Sequence, residues 1–336
     1  MREIPFSKFH GLGNDFIVST GLDLGIKGRG VSTSSTARLQ RLARSICDRR
    51  IGVGADGFVV ALAPQTKDNH ACVRFFNADG SEAEMSGNGI RCASAYLLES
   101  WQWTGATLLD SPVERGRGTA RRTLPYISEQ RRVGQALPLR LRELKTLKLE
   151  TAAGVRSVRR EKGGRGSWVF SVGMGGPVFD PERIPFTASG VATPVVGFLL
   201  LTSQGTLPVT VSSIGNPHCS TFVANFEGID WRAVGQEIEN SGLFPKRTNV
   251  EFIKVHSRNE IEVRFWERGV GQTASSGTGS CGAVVACVLN GLTDRKVRVR
   301  TLTGILEVSW PKNGEVTLRG PAELISQGVY FYLGRE

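Results

Sequence analysis

Short stretches of apolar and β-branched residues, with polar residues at many alternate positions, recur along the whole chain. They are rich in Val, Ile, Phe and Thr, whose branched and aromatic side chains pack well on the pleated surface of a half-buried strand. The pattern therefore predicts a protein built mainly from β-strands. The runs are FIVST, GFVVALA, CVRFFNA, LKLETA, SWVFSVGM, PVTVSS, CSTFVANF, NVEFIKV, EIEVRFWE, VRVRTL, ILEVSW and EVTLRG.

Helical patterns are few. The segment Arg38–Arg50 places Leu39, Leu42 and Ile46 on one face, and a weaker pattern covers Trp231–Glu239. Because the apolar residues of the first segment form a single stripe, we expect that helix to lie on the surface of a core.

Two further helices are predicted after a repeated motif. Ser-Gly-x-Gly begins at Ser86 and again at Ser276, and a run of small residues follows each time. Small residues on every side are typical of a helix that is packed all round. Chance recurrence in a chain with 41 glycines is the alternative. The similar flanks favour two pseudo-equivalent domains, each with strands around a central helix, whose helix N-termini face one cleft.

Length and composition agree with a two-domain globular protein. The chain has 336 residues, of which 40% are hydrophobic and 22% are charged. The N-terminus MREIPFSKFHG lacks an apolar segment of signal-peptide length, and the longest apolar run, Val195–Leu201, is far too short to cross a bilayer. We therefore expect a cytoplasmic protein without membrane contact.

The six cysteines form no CxxC pair, and the four histidines have no spacing with them that suits zinc. We therefore predict no metal site and interpret most of the cysteines as buried, reduced thiols.

Much of the net charge of +11 comes from Trp101–Leu147, where arginines are interleaved with Pro and Gly. A basic segment can bind nucleic acid, but this one lacks the aromatic residues on which single-stranded bases stack. We expect a solvated surface insertion at about residues 103–143, with a nucleic-acid or acidic partner as the alternative. The arginines are Arg115, Arg117, Arg121, Arg122, Arg131, Arg132, Arg140 and Arg142.

The repeated motif has a chemical use. The first turn of a helix leaves backbone N–H groups unpaired and carries partial positive charge, so Ser-Gly-x-Gly can hold a carboxylate or a phosphate. Ser86 and Ser276 would equally serve as simple N-caps.

The run GVGADG at Gly52–Gly57 matches the dinucleotide fingerprint in letters, yet a helix precedes it and a strand follows it. This is the reverse of the required order, so we expect a loop there.

Polar clusters at strand ends supply the remaining parts of an amino-acid site. Asparagines in turns are ordinary. Together with an arginine, a glutamate and two helix N-termini, however, they are what a pocket needs to bind a small zwitterion. The clusters contain Asn14, Asn77, Asn216, Asn249 and the pair Glu267 and Arg268.

Six motifs stand in one order along the chain: KFHGLGNDF, DRRIGVGADG, FNADGSEAEMSGNGIRC, GNPHC, RTNVEF and ERGVGQTASSGTGS. In residues and order they resemble the diaminopimelate epimerase family. The resemblance implies an α+β fold of two pseudo-symmetric domains, each a strongly curved, mainly antiparallel sheet wrapped around a central helix, with the active site between them. The N-terminal domain would cover residues 1–145, including the insertion and closed by a C-terminal strand at 323–336. The C-terminal domain would cover residues 146–322.

Members of this family invert the α-carbon of an amino acid without pyridoxal phosphate, so the resemblance implies an isomerase without a cofactor. One cysteine thiolate removes the proton and a second thiol delivers another to the opposite face. Each cysteine begins a central helix, whose N-terminus lowers the thiol pKa. Here both positions are serine, Ser86 and Ser276.

The substitution weakens the chemistry. An alcohol is a far weaker acid than a thiol of pKa about 8.5, and each further pKa unit costs ~1.4 kcal/mol. A helix dipole supplies only ~0.3–2 kcal/mol. Cys92 and Cys281 lie six and five residues further along, too deep in their helices to reach the same place. His218 and Glu267 are better candidates to activate a serine or to act directly.

Three functions stay open at this stage. The first is a cofactor-independent epimerase or racemase that interconverts LL- and meso-diaminopimelate, a precursor of lysine and peptidoglycan, with the two serines as the proton-transfer residues. The second is a Cys-to-Ser form, natural or engineered, that binds substrate without turning it over. The third is a binding protein, or an isomerase of another small carboxylate that uses a single Glu or His base.

The resemblance also implies a homodimer and a set of substrate contacts. Arg268 would pair with a carboxylate in bidentate fashion, while asparagine side chains and strand-end carbonyls would receive an ammonium group. Gly57 stands where many members have glutamine and Gln272 where many have glutamate, which changes the expected rim of the pocket. The implied contacts are Asn14, Asn77, Gly87, Asn88, Asn216, Asn249, Glu267, Arg268, Gly277 and Thr278.

Overall fold

The computed structural model describes residues 1–26, 33–105 and 144–334. Within them the helices are α1 (Thr33–Cys47), α2 (Gly87–Gly105), α3 (Trp231–Glu239) and α4 (Gly277–Leu289). The strands are β1 (Arg2–Gly11), β2 (Asn14–Thr20), β3 (Gly57–Leu62), β4 (Ala71–Asn77), β5 (Glu82–Ala83), β6 (Thr146–Thr151), β7 (Gly154–Gly164), β8 (Ser167–Gly175), β9 (Phe198–Thr202), β10 (Gly205–Ser213), β11 (Pro217–Phe222), β12 (Asn249–Ser257), β13 (Glu260–Glu267), β14 (Gly271–Thr273), β15 (Lys296–Thr301), β16 (Gly304–Ser309) and β17 (Val316–Tyr332).

The first eight strands pair mostly in antiparallel fashion. Antiparallel pairs join β1 to β2, β3 to β4, β4 to β5, β6 to β7 and β7 to β8. Parallel pairs join β2 to β3 and β4 to β6. Helix α1 lies between β2 and β3 in the chain, and α2 lies between β5 and β6.

Strands β10 to β17 pair in the same order and in the same directions. Antiparallel pairs join β10 to β11, β12 to β13, β13 to β14, β15 to β16 and β16 to β17. Parallel pairs join β11 to β12 and β13 to β15, with α3 and α4 at the places that correspond to α1 and α2. The predicted α+β architecture, with mainly antiparallel strands, is confirmed.

Helices α2 and α4 occupy the centre of the fold. Residues 87–99 of α2 and residues 277–287 of α4 are all buried. Their Gly, Ala, Ser, Cys and Val side chains are small, so strands and the other helix approach them from all sides. The prediction of two helices packed all round is therefore confirmed, and the start of each helix is held inside the molecule.

Strand β17 connects the two sets of strands. Its first residues pair with β16 and β8, and residues 323–332 pair with β1. The strand thus begins at Val316, earlier than the predicted start at residue 323, and ends at Tyr332. The central position of β17 becomes important below, because its backbone reaches the start of α2.

Some predicted boundaries were wrong. Helix α1 begins at Thr33 and ends at Cys47, because the Asp48 carboxylate accepts hydrogen bonds from the N–H groups of Arg50 and Ile51 and so starts a turn. Residues 103–105, assigned to the insertion, continue α2. The rest of the predicted insertion, residues 106–143 with its eight arginines, lies outside the described residues.

The hydrophobic pattern of the sequence did not predict several of the strands. Strands β1, β7 and β9 were not predicted, and β5 and β14 are too short to give a periodic signal. In β7, GVRSVRREKGG, basic residues dominate and Val158 alone is buried, so the apolar alternation that marks a half-buried strand is missing.

Candidate functional site

An open cavity lies where the starts of α2 and α4 meet. The space between its lining atoms is roughly 690 Å³, a figure that includes open solvent at its mouth. Every predicted site residue except His218 lines this cavity, although the residues come from distant parts of the chain. They are Asn14, Asn77, Ser86, Gly87, Asn88, Asn216, Asn249, Glu267, Arg268, Ser276, Gly277 and Thr278.

The two helix starts are in direct backbone contact. A β-carbon added to Gly87 would lie 2.8 Å from the Cα of Gly277, and one added to Gly277 would lie 2.7 Å from the Cα of Gly87. Only glycine at both positions permits this approach. The close contact brings the positive ends of both helices to one point of the cavity.

Both serines of the repeated motif cap their helices. The Ser86 Oγ accepts a hydrogen bond of 3.0 Å from the N–H of Gly89, and the Ser276 Oγ accepts one of 3.1 Å from the N–H of Gly279. Each cap satisfies one of the N–H groups that a helix start leaves unpaired. The structural role considered from the sequence is thus real, and both serines still face the cavity.

Four backbone N–H groups of the two first turns remain available to a ligand. The first N–H groups of a helix have no carbonyl one turn earlier to pair with. No hydrogen bond between described residues involves the N–H groups of Gly87, Asn88, Gly277 or Thr278. Because two helix N-termini supply partial positive charge at this place, the four groups form a cradle suited to a carboxylate. We call these four N–H groups the amide cradle.

Glu267 stands beside one serine. The side chain of Ser276 interacts with its carboxylate and favours the charged form. Burial raises the pKa of Glu267 to about 7, and the interaction with Ser276 opposes part of that rise. A carboxyl group with this pKa can exchange a proton near neutral pH, which is the property expected of a general base.

The two serines are therefore not equivalent. Ser276 interacts with the Glu267 carboxylate and is 2% exposed, whereas Ser86 is half-buried. Within the described ranges, the side-chain oxygen of Ser86 is hydrogen-bonded to the N–H of Gly89 and to no acidic or basic side chain. Among the described residues, the hydroxyl of Ser276 interacts with a carboxylate, whereas that of Ser86 is hydrogen-bonded to none.

His218, predicted to be catalytic, lies behind the cavity wall. Its Nδ1–H donates to Glu251 Oε1 over 2.7 Å, and its Nε2 is 2.8 Å from Asn216 Oδ1. The ring is 0% exposed and packs against Gly282 of α4, where an added β-carbon would lie 2.9 Å from its Cγ. With both nitrogens occupied, His218 orients Asn216 and does not reach the space that a substrate would fill.

Two more asparagines are held by their own hydrogen bonds. Asn249 donates to the Pro217 carbonyl over 2.7 Å and accepts from the Arg268 N–H over 3.0 Å. Asn77 donates to Ser81 Oγ over 2.9 Å. Rigid amides of this kind bind a ligand without a large loss of side-chain freedom.

Asn14 is fixed by a group that the sequence analysis missed. Its Nδ2 donates to Asp56 Oδ2 over 2.9 Å, and Asp56 also lines the cavity. Arg49 donates to both Asp56 and Asp15, each over 2.8 Å. The motif containing Asp56 was interpreted as a loop, and only its spatial position next to Asn14 reveals its place in the site.

Arg268 is paired at the cavity mouth. Its Nη2 lies 3.0 Å from Glu84 Oε2, and its Nη1 donates to the Lys246 carbonyl over 3.4 Å. Glu84 precedes α2 and Arg268 follows β13, so this ion pair connects the two sets of strands. A carboxylate ligand that binds Arg268 has to compete with Glu84.

The family model for diaminopimelate epimerase matches residues 6–108 and 210–325. The diaminopimelate epimerase of Desulfitobacterium hafniense is 35% identical over 322 residues, covering 96% of each chain. That of Desulforudis audaxviator is 39% identical over 331 residues, covering 97% of this chain and 99% of its own. This chain belongs to the diaminopimelate epimerase family. The members that it matches are isomerases, and the family expectation drawn from the six motifs is confirmed.

Solved structures of other proteins resemble the fold of this chain. A hydroxyproline epimerase from Agrobacterium vitis, with bound trans-4-hydroxy-L-proline, has a TM-score of 0.62 at 14% identity and covers 98% of this chain and 92% of its own. A methylitaconate-delta-isomerase has a TM-score of 0.52 at 12% identity, with 98% and 95% covered. At these identities the likeness concerns the fold alone.

Two departures from the family pattern have a structural context. A β-carbon on Gly57 would lie 2.7 Å from the ring of Phe16, which lines the cavity, so the ring occupies the space that a longer side chain at position 57 would need. Gln272 is exposed and accepts a hydrogen bond of 2.6 Å from Arg232, away from the cavity lining.

Neither Cys92 nor Cys281 can take the place of Ser86 or Ser276 in the cavity. Cys92 and Cys281 are 0% exposed inside α2 and α4, and neither lines the cavity. Burial raises the pKa of Cys92 to about 12 and also raises the pKa of Cys281.

In the described part of the chain, no group of three His, Cys, Asp or Glu side chains could hold a metal ion. None of the described helices is long and apolar enough to cross a membrane.

Proposed function

We propose that this chain binds diaminopimelate between the starts of α2 and α4 and inverts one of its α-carbons without a cofactor. The observation that carries the proposal is the convergence of the amide cradle, Glu267 and Arg268 on one cavity. A diamino dicarboxylate needs donors for its carboxylates and acceptors for its ammonium groups, and the cavity offers both. Relatives named diaminopimelate epimerase match nearly the full chain at 35% and 39% identity and support the same substrate.

The substrate would be placed by charge. The carboxylate next to the reacting carbon would lie on the amide cradle, where two helix N-termini favour an anion. Arg268 would pair with the second carboxylate in place of Glu84. The ammonium groups would be received by asparagine side-chain oxygens and strand-end carbonyls. The α-carbon would then lie between Ser86 and Ser276, because each serine directly precedes its half of the cradle.

Because the surroundings of Ser86 and Ser276 differ, the two serines would take different parts in the proton transfers. On the Ser276 side, the Cα–H bond would break and its proton would pass to the Ser276 oxygen as the hydroxyl proton of Ser276 passes to the Glu267 carboxylate. The electron pair would stay on the substrate as a carbanion. On the opposite face, Ser86 would give its hydroxyl proton to Cα and regain one from solvent, while Glu267 releases its proton to solvent. His218 would orient Asn216 and transfer no proton.

A serine relay is expected to be slow. An alcohol is a much weaker acid than a thiol, and the helix dipole offsets only ~0.3–2 kcal/mol of that difference. One observation favours binding without turnover: among the described side chains, no acidic or basic group is hydrogen-bonded to Ser86. An isomerase with a single base would use Glu267 alone.

Calorimetric titration with LL- and meso-diaminopimelate tests the binding half of the proposal. We expect saturable binding of both stereoisomers. Proton exchange in D2O then separates the functions: deuterium incorporation with inversion indicates the epimerase, incorporation with retention indicates a single base, and binding without exchange indicates a binding protein. Absence of binding by both stereoisomers would overturn the proposal.

We also propose the organisation that the family resemblance implies. The resemblance implies domains of residues 1–145 and 146–322, with the last strand closing the first domain. The repeated order of strand pairing supports two pseudo-symmetric sets, β1–β8 and β10–β17, so the division would lie between Gly175 and Gly205. Six free cysteines agree with a reducing, cytoplasmic location. The partners would be a small amino-acid substrate and a second copy in a homodimer, with no membrane or nucleic acid.

A further inference from the structure

Arg91 is a buried cation directly beneath the amide cradle. It lies one turn into α2 and is 0% exposed. Its Nε donates to the Pro321 carbonyl over 2.9 Å, its Nη1 to the Gly87 carbonyl over 2.9 Å, and its Nη2 to Asn88 Oδ1 over 2.7 Å. Each of the three guanidinium nitrogens therefore has an acceptor, and each acceptor is uncharged.

The charge of Arg91 is not balanced by a neighbouring carboxylate. No ion pair between residues of the described ranges includes Arg91. Burial lowers its pKa to about 10, which still leaves the guanidinium protonated at neutral pH. Burial of a charge without a carboxylate partner carries a desolvation cost, which the three hydrogen bonds of Arg91 offset in part.

The surrounding backbone leaves room for this guanidinium. A β-carbon on Gly11 would lie 2.8 Å from Arg91 Nη2, and one on Gly320 would lie 3.2 Å from its Cζ. Gly11 ends β1 and Gly320 lies in β17, so strands from both ends of the chain are shaped around the same side chain. A larger residue at either position would force the guanidinium to move away from the cradle.

Arg91 also decides how the cradle's neighbouring amides are oriented. A guanidinium only donates, so the Oδ1 of Asn88 has to face it. The Nδ2 of Asn88 then donates to Asn14 Oδ1 over 2.9 Å and to the Ser275 carbonyl over 3.2 Å. The Nδ2 of Asn14 is left to donate to Asp56. One buried cation thus fixes a chain of polar groups from α2 to the residue before the second motif.

A consequence concerns the contact predicted for Asn88. Both Nδ2 hydrogens of its side chain are used within the protein. What Asn88 can offer to a carboxylate is its backbone N–H, which belongs to the amide cradle. The side chain of Asn88 connects Arg91 to the site and does not itself hold the ligand.

We infer that Arg91 is a positioning residue whose buried charge gives the amide cradle its preference for an anion. This inference rests on the proposed function. The Gly87 carbonyl and the Asn88 side chain are held by the guanidinium, so the two cradle N–H groups of α2 keep one direction. The unbalanced positive charge adds to the partial charges of both helix N-termini at the same place.

The test compares a carboxylate ligand with its uncharged analogue. The ligands are meso-diaminopimelate and the diaminopimelate monoamide in which the carboxylate next to the reacting carbon is a carboxamide. Calorimetry measures both affinities for the unmodified chain, for Arg91→Gln and for the control Arg319→Gln, which removes a surface arginine paired with Glu307. We expect Arg91→Gln to weaken carboxylate binding more than 10-fold and monoamide binding less than threefold, and the control to change neither.

A purely structural role would weaken both ligands equally, and that result would overturn the inference, as would unchanged binding of both. If Arg91→Gln does not fold, Arg91→Lys carries the test, because lysine keeps the charge without the three-way fork. We expect Arg91→Lys to retain the preference for the carboxylate over the monoamide within about threefold. Loss of that preference would contradict a role for the charge.

A second probe separates this inference from the proposed function. Titration of the ¹⁵N-glycine-labelled chain with formate monitors the amide signals of Gly87 and Gly277 without diaminopimelate. We expect formate to shift both signals, with at least fivefold weaker binding in Arg91→Gln. If the chain binds formate in this Arg91-dependent way but binds no diaminopimelate, the proposed function fails and the inference stands. If formate binds Arg91→Gln as it binds the unmodified chain, the inference fails.

Discussion

Gly87 and Gly277 touch through their backbones, so that a β-carbon on either residue would come within 3 Å of the other's Cα. This contact, which joins residues 190 positions apart in the sequence, sets the spacing of the two helix N-termini. A carboxylate is small, and it can accept from both helix starts only while they stay this close.

Gly87→Ala should therefore damage both stability and ligand binding. The new methyl group would also lie 2.9 Å from Leu318 Cδ2, and overpacking of this kind costs ~1–3 kcal/mol. We expect a lower melting temperature and at least 10-fold weaker binding of diaminopimelate. Gly242→Ala is the matched control, because nothing lies within 4 Å of an added β-carbon there. Unchanged affinity in a folded Gly87→Ala protein would contradict the role given to the contact.

Arg268→Ala tests recognition at the cavity mouth. Loss of a charged hydrogen bond costs about 1.5–3 kcal/mol, so the dissociation constant of diaminopimelate should rise 10-fold or more. Arg319→Ala provides the control, since Arg319 pairs with Glu307 and does not line the cavity. Calorimetry with both variants gives the comparison, and equal affinities would refute a carboxylate contact at Arg268.

The raised pKa of Glu267 predicts that the activity depends on pH. Burial raises the pKa of Glu267 to about 7, and only its carboxylate form can take the proton of Ser276. Exchange of the substrate α-proton should therefore increase with pH through about 7 and then level off, and Glu267→Gln should abolish it. A rate of α-proton exchange that stays the same between about pH 6 and about pH 8 would exclude Glu267 as the base.

The raised pKa of Glu267 also predicts that the free energy of unfolding depends on pH. The unfolded pKa is ~4.3, so between that value and the folded pKa the folded state holds a proton that the unfolded state has lost. Stability from Glu267 therefore falls as pH rises through this window, which ends at about 7. Glu267→Gln should raise the melting temperature relative to the unmodified chain more at pH 8 than at pH 4. A difference of the opposite sign would disprove the assigned pKa shift.

The local parts of the site could be predicted from the sequence. Ser-Gly-x-Gly determines its own structure, since serine caps a helix and glycine allows close backbone approach, so Ser86, Gly87, Ser276 and Gly277 were assigned correctly to two helix starts. The strands with clear apolar alternation were found for the same reason. Strand β7 was missed because its stability comes from pairing with β6 and β8 and not from its own apolar pattern.

The parts that depend on distant contacts could not be predicted. His218 lies behind the cavity lining, where its ring is bonded to Glu251, a partner 33 residues further along, and to Asn216. Arg91 looks like an ordinary polar helix residue in the sequence, and its burial results from β17, whose Pro321 lies 230 positions away. Sequence patterns report the environment of a residue along its own element, whereas these roles are decided by what packs against it.

We propose that an epimerase site works in this chain with serine in place of both cysteines. The most direct measurement is α-proton exchange in D2O, followed by NMR with LL- and meso-diaminopimelate, for the unmodified chain and for a variant with Ser86→Cys and Ser276→Cys. We predict slow exchange with inversion by the unmodified chain and much faster exchange by the double variant, because thiols ionise far more readily than alcohols. Absence of exchange by the unmodified chain would contradict this proposal, whether or not the double variant exchanges.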